Sequence, residues 1–290
     1  MLGSRTLDPK REEQLRRLLM VFVVLAALVA AALPVAAAPP QGDDKWALII
    51  GVDDHIGRTR DNIGAVGDAN AFRQLLQKDG WREDRIRVLT DGAATADGIR
   101  QGMQWLVENC NENSYCLFHF SGHTKQMNGG DSTGGPHEYL WPSDNRFISD
   151  DEFADYMRRL RGYAWIDLAN CESAGFDHGI SSPRRLFTGA SQENEKGFEN
   201  PAWSQSIWTG SLVQKAMLEG NGDANGDGHV TLREALPYAA ETSARMTSGQ
   251  SPSPQHPYIA GGEETDWFPA PAAAPAAVKP RNCILNLICL

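Results

Sequence analysis

Five runs of β-branched and aromatic residues alternate along this chain with stretches of helical period, and that alternation leaves few folds open. "KWALIIGV" (45–52) has the length and composition of a buried strand. "NIGAVGDANAFRQLLQKDG" follows, with Ala65, Ala69, Phe72, Leu75 and Leu76 on one helical face and Gly80 as its stop. "RIRVLTD" reads as a second strand and "TADGIRQGMQWLVEN" as a second helix capped by Thr95. "YCLFHF" (115–120) is a third strand, "DDEFADYMRRLR" a helix, "YAWIDLA" a fourth strand, "RRLFTGA" a fifth and "SIWTGSLVQKAMLEG" a further helix. Strands that alternate with helices predict an α/β fold, a parallel sheet with helices on its faces. Such sheets gather their reactive groups beyond the carboxyl ends of the strands. The third strand runs on into Ser121-Gly122-His123 and the fourth into Asn170-Cys171, so a histidine and a cysteine arrive on one edge of the sheet.

The ends of the chain have another character. Residues 1–17 are charged, and residues 18–38, "LLMVFVVLAALVAAALPVAAA", carry no charge. This reads as a secretory signal over 1–37, cut between Ala37 and Ala38 because Pro39 disfavours the next bond. The rival reading is an uncleaved membrane anchor through 18–38, since the run is about the 20 residues that span a bilayer. A linker fills 38–44, the ordered pattern covers 45–262, and 263–290 is a Pro/Ala-rich spacer with an apolar tail. The whole chain of 290 residues has a net charge of −10. The first 37 residues hold five of its 27 basic and three of its 37 acidic residues, which leaves 22 against 34, or −12. An acidic, exported, monomeric protein is expected, with no nucleic-acid partner.

Outside the cytosol thiols tend to pair. Cys110 with Cys116 and Cys283 with Cys289 are each separated by five residues, and if both close, Cys171 is left as a free reactive thiol. The other reading is a set of reduced, inert thiols. A thiol that attacks a carbonyl needs an imidazole to take its proton, and the developing oxyanion needs fixed N–H donors. The turns at Ser121-Gly122 and Ser173-Ala174-Gly175 are suited to supply them.

"KWALIIGV", "IGAVGDANAFRQLL", "ATADGIRQGMQWL", "FHFSGHTKQ" and "WIDLANCESAGF", in this order, resemble the caspase-like cysteine peptidases, bacterial metacaspase-type members above all. The resemblance covers roughly 45–262 and implies a three-layer α/β/α fold with a mostly parallel sheet of about six strands. It implies a Cys171–His123 dyad that hydrolyses peptide bonds in a protein or peptide substrate, with backbone N–H groups of Cys171 and Thr124 at the oxyanion. Three departures bear on this. Thr124 stands where the family usually has glycine. Ala169 stands where metacaspases usually carry an acid that faces a basic substrate side chain. "CES" also resembles the legumain branch, which cleaves after Asn. Cleavage after Arg or Lys is the family expectation, with Asp53, Asp54, Asp131, Asp144 or Asp167 to supply the charge and Asp167 or Asn170 to orient neighbours. A catalytically inactive binding module on the same fold is the rival function. His119 reads as a packed core histidine, and His55, His137, His178 and His256 as loop or surface residues.

"DANGDGHVTLRE" (223–234) matches the EF-hand calcium loop. Asp223, Asn225, Asp227, the His229 carbonyl, Thr231 and Glu234 fall at the ligand positions, with Gly228 at the sharp turn. One unpaired loop predicts local pinning of structure by Ca2+ rather than a sensor. The helix after it is expected to be perturbed at Pro237.

Overall fold

The computed structural model describes residues 44–128, 136–251 and 253–265. In chain order the elements are β1 (Lys45–Gly51), α1 (Ala65–Lys78), β2 (Ile86–Thr90), α2 (Ala96–Asn109), β3 (Tyr115–Ser121), β4 (Thr124–Asn128), β5 (Pro136–Leu140), β6 (Ile148–Ser149) and α3 (Asp150–Arg158). Then follow β7 (Tyr163–Ala169), β8 (Arg185–Gly189), β9 (Glu199–Asn200), β10 (Gln205–Ser206), α4 (Ile207–Thr209), α5 (Leu232–Met246) and β11 (Tyr258–Ala260). Six strands form one sheet in the order β2–β1–β3–β7–β8–β11. All neighbours are parallel except β8 and β11. This is the expected mostly parallel sheet of a three-layer α/β/α fold. Strand order reverses between β1 and β3, which puts the sheet's switch point beside the carboxyl end of β3.

Successive side chains of a strand point to opposite faces, so a strand buried on both faces reads as a continuous apolar run. Ile49 and Trp165 face a core shared with Phe72 of α1 and with Trp208 and Leu212. Leu48, Ile50, Phe118, Phe120 and Ile166 face a second core with Ile99 of α2 and Phe153 of α3. Every residue of β3 and β7 is buried, which fixes where their tips lie.

Helix starts are set by side-chain oxygens that accept the otherwise orphaned N–H groups. Thr95 accepts from Gly98 N–H at 3.1 Å, and Ser149 accepts from Glu152 N–H at 3.1 Å. α1 is capped from a distance: Asp53 accepts from Ala65 and Val66 N–H at 2.7 and 3.2 Å. The expected helix after residue 206 forms, but α4 passes into a π-helical stretch, Gly210–Leu218. α5 is not interrupted at Pro237. Proline deprives a helix of one N–H bond, and the Thr231–Glu234 capping box holds the start of this one.

Cys110 and Cys116 form a disulfide between the end of α2 and β3, and Cys171 is a free thiol. Cys283, Cys289, Asp131 and the segment 1–43 lie outside the described residues. Among the described residues no helix is long and apolar enough to cross a membrane.

Candidate active site

β3 and β7 run side by side, with Ser121 level with Ala169. Chain geometry then carries His123 and Cys171, two residues beyond each, into one cleft of about 360 Å³. Its walls come from three further segments: Arg60–Ile63 before α1, Gly197–Glu199 with Pro201, and Ser206. Glu172 follows the cysteine at φ 50°, a left-handed conformation that turns the chain sharply off the strand. Two contacts hold this turn. Glu172 N–H donates to the Glu195 carbonyl at 2.9 Å, and the buried Glu172 carboxylate pairs with Lys196. Thr124 Oγ1 donates to the Cys171 carbonyl at 2.7 Å, which ties β4 to the turn after β7.

His123 is fixed by its far nitrogen. Nε2 lies 2.6 Å from the Arg60 carbonyl, and a carbonyl can only accept, so Nε2 carries the proton and Nδ1 the lone pair. Burial pushes the His123 imidazolium below its ordinary value, with a further lowering from His55. The Cys171 thiol lies against the Gly197 carbonyl at 3.8 Å. Burial pushes its pKa up, and the Glu172 carboxylate adds to the rise. The resting site is therefore a neutral thiol and a neutral imidazole.

Of the acids expected to face substrate, three are otherwise engaged. Asp167 is fully buried, where it accepts from Thr188 Oγ1 at 2.5 Å and Trp208 Nε1 at 2.8 Å and meets His119 Nδ1 at 2.8 Å. It belongs to the core, and His119 with it, as expected. Asp53 caps α1, and Asp144 accepts from Ala96 N–H at 3.1 Å at the start of α2. Asp54 is exposed and is not among the cleft-lining residues. Three acids that sequence reasoning missed are at the cleft instead, Asp61 in its wall among them. Asp68 of α1 lies beneath its floor, accepting from Ser121 Oγ at 2.8 Å and Ser206 N–H at 3.0 Å, and both serines line the cleft. Burial raises the Asp68 pKa to about 8. Glu199 lines the wall and accepts from Gly64 N–H at 2.8 Å. Asn170, 3% exposed, lines the cleft with neither amide atom partnered, so it orients no neighbour through a hydrogen bond among the described residues.

Of the histidines expected in loops or at the surface, His55 lies in a loop and His137 in β5, and both are buried. His55 is 9% exposed and His137 7%. His137 meets Asp150 at 3.2 Å, and the half-buried His178 reaches Asp151 at 3.2 Å.

The loop 223–234 takes a ligand-loop backbone. Gly226 and Gly228 sit at φ 78° and 84°. Asp223 accepts from Gly226 and Gly228 N–H at 2.7 and 2.9 Å, and Asn225 and Asp227 cap the next N–H groups. Glu234 Oε2 accepts from Thr231, while its buried Oε1 has no partner. A buried, orphaned carboxylate oxygen at the last ligand position fits a hard cation. The acidic oxygens of the loop are not yet gathered. Among the described residues, the His, Cys, Asp and Glu ligand atoms that lie in threes within 4.8 Å are those of His137, Asp150 and Asp151.

A family model described as Caspase domain matches residues 44–255. Metacaspase-2 of Arabidopsis thaliana is 30% identical over 220 residues, 60% of this chain and 51% of that protein. Metacaspase-3 of the same plant is 38% identical over 143 residues, 43% of this chain and 39% of that protein. The chain thus spans about half or less of the length of these relatives. The crystal structure of the Drosophila initiator caspase Dronc superposes with a TM-score of 0.55 at 12% identity, over 79% of this chain and 84% of that one, a likeness of fold.

Proposed function

The chain belongs to the caspase-domain family, and on that premise we propose that it is a cysteine endopeptidase that cuts polypeptides after basic residues. The carrying observation is that Cys171 and His123 line one cleft whose floor rests on Asp68 and whose wall holds Glu199. In the reaction His123 Nδ1 takes the thiol proton as Sγ bonds to the substrate carbonyl carbon. The carbonyl oxygen becomes an oxyanion, for which the N–H groups of Cys171 and Thr124 are the candidate donors. His123 then returns the proton to the leaving amine as the C–N bond breaks. Water, deprotonated by the same Nδ1, hydrolyses the thioester and restores the thiol.

The basic preference follows from charge. Burial is why the Asp68 proton is held so firmly. A guanidinium or ammonium over Ser121 and Ser206 favours its ionised form. The acid that is missing at Ala169 is thereby replaced from α1. Calcium would be held by Asp223, Asn225, Asp227, the His229 carbonyl and Glu234, and would pin the loop before α5. Export is supported by the Cys110–Cys116 disulfide together with the apolar run at 18–38.

The test is a peptide library with Arg, Lys, Asn, Asp or Leu before the scissile bond, with and without calcium. Cleavage after Arg and Lys that is lost in Cys171→Ala is expected, and Asp68→Asn should lower kcat/KM for these substrates by about tenfold or more. Cleavage after Asn alone would assign the other specificity. Peptide binding without thiol-dependent cleavage would assign a binding module.

A further inference from the structure

Arg60 is not the whole setting of His123. His55, from the same loop between β1 and α1, lays its ring against the His123 ring, with centroids 5.2 Å apart and planes at 30°. Trp141 closes a third side, 6.1 Å from His55 and 5.8 Å from His123. This bracket is itself braced. His55 Nε2–H donates to the Trp141 carbonyl at 3.2 Å, and His55 N–H donates to Asp61 Oδ1 at 3.2 Å. The Trp141 indole donates to Asn145 Oδ1 at 2.6 Å, and Asn145 Nδ2 donates to the Ile56 carbonyl at 2.8 Å. The Trp141 N–H returns to the His123 carbonyl at 3.2 Å.

The tautomer of His55 is set by these contacts. Its Nε2 faces a carbonyl and carries the ring proton, so Nδ1 holds a lone pair, buried and without a partner. A buried polar atom left unpaired is costly. Nε2 braces Trp141, but the unpaired Nδ1 gains the fold nothing. What the ring does is occupy the face of His123 that water would otherwise reach.

We propose that His55 is a positioning residue for the peptidase reaction, its ring forming the cover that excludes water from His123 and holds Nδ1 toward the thiol side of the cleft. This rests on the reading of His123 as general base. The charged and titratable groups around His123 are Arg60 and Asp61 of the same loop, Glu199 of the wall and Cys171. Each of these remains when His55 is replaced; the electrostatic lowering by His55 itself goes with the ring, and His55→Phe, which loses that lowering and keeps a ring, separates it from the cover. Burial is the leading cause of the depressed His123 imidazolium, and opening the cover should raise it.

The test reads His123 directly, by NMR titration of its ring in the full chain carrying Cys171→Ala, with added His55→Ala or His55→Phe. His55→Ala should raise the midpoint by about half a unit or more, a roughly threefold change in proton affinity, because hydration of the cation is restored. His55→Phe keeps the cover and loses only the electrostatic lowering by His55, so its midpoint should rise by less than half as much. In the thiol-intact chain, His55→Ala should lower kcat about tenfold at unchanged KM and move the acid limb of the rate profile with the midpoint. An unmoved midpoint in a folded His55→Ala protein, or an equal shift in His55→Phe, overturns the proposal. If His55→Ala does not fold, Trp141→Ala opens the same bracket and must move the midpoint the same way. A moved midpoint in a protein that cleaves no peptide overturns the peptidase reading and leaves the cover standing.

Discussion

Cys171 and His123 are both biased to their uncharged forms, and this decides what pH does to the reaction. The His123 imidazolium is lowered from 6.5 and the Cys171 thiol is raised from 9.0. The limbs that these two groups set in kcat/KM should therefore lie below pH 6.5 and above pH 9, and for a basic substrate the Asp68 proton, held to about 8, adds a fall in kcat/KM below that pH. Alkylation of Cys171 by iodoacetamide should rise with a midpoint above 9. Fast alkylation that persists at pH 5 would reveal a preformed thiolate–imidazolium pair and refute this account. The meeting of Cys171 and His123 in one cleft was legible because each follows a buried strand, and strand, turn and residue type coincide within ten positions. The charged residues of the cleft were not. Asp68 points down from the first helix and Glu199 comes from a two-residue strand, and only the topology brings them to Cys171. Asp167, close in sequence, faces the core, because side chains alternate along a strand and the residue four before the cysteine is inside it.

At the scale of elements, the long periodic segments were read well, and the short or irregular ones were not. β1, β3 and β7 are seven residues each and mostly apolar. β4–β5–β6 escaped because its strands are short and mix Lys, Gln, Pro, His and Glu, although Leu140 and Ile148 reach the second core. The π-helical stretch carries the same apolar period as an α-helix and cannot be told apart by pattern. The disulfide and the loop 223–234, the proposed calcium site, are the elements with testable energetics. Closing the short ring between Cys110 and Cys116 should stabilise the fold by about 2 kcal/mol in the chain-entropy account, so their double replacement by Ala should lower the melting temperature measurably. Thr231 joins helix to loop: its hydroxyl accepts from Glu234 N–H and donates to Glu234 Oε2. Thr231→Ala should cost α5 about 1 kcal/mol with or without calcium. Glu234→Gln should lower calcium affinity by at least about tenfold, read by calorimetry, since it removes the bidentate ligand. Equal calcium binding by Glu234→Gln and the native chain would remove the loop as the site.

For the molecule as a whole, Asp68 couples folding, pH and substrate through one proton. Its carboxyl is fully buried and titrates at about 8 in the folded chain, against 3.8 for the free side chain. The sign follows from proton counting. Between these values the folded state holds the proton and the unfolded state has lost it, so stability falls as pH rises. The slope from this group alone is about 1.4 kcal/mol per pH unit, vanishing below about 4 and above about 8. Burial likewise raises Asp53, Asp79, Glu138 and Glu172, and these act in the same direction. The difference between the native chain and Asp68→Asn removes their share, because only one group changes. That difference, measured by urea unfolding from pH 4 to 9, should tilt steadily against the native chain as pH rises and level off near 8. Substrate should reverse the effect. A basic side chain in the cleft favours the carboxylate, so an arginine peptide that binds Cys171→Ala at pH 7 should release close to one proton. Calorimetry in buffers of different ionisation enthalpy counts it. A stability difference that is flat with pH would mean that Asp68 is ionised in the empty cleft. Release of no proton would separate it from the recognition of the basic residue.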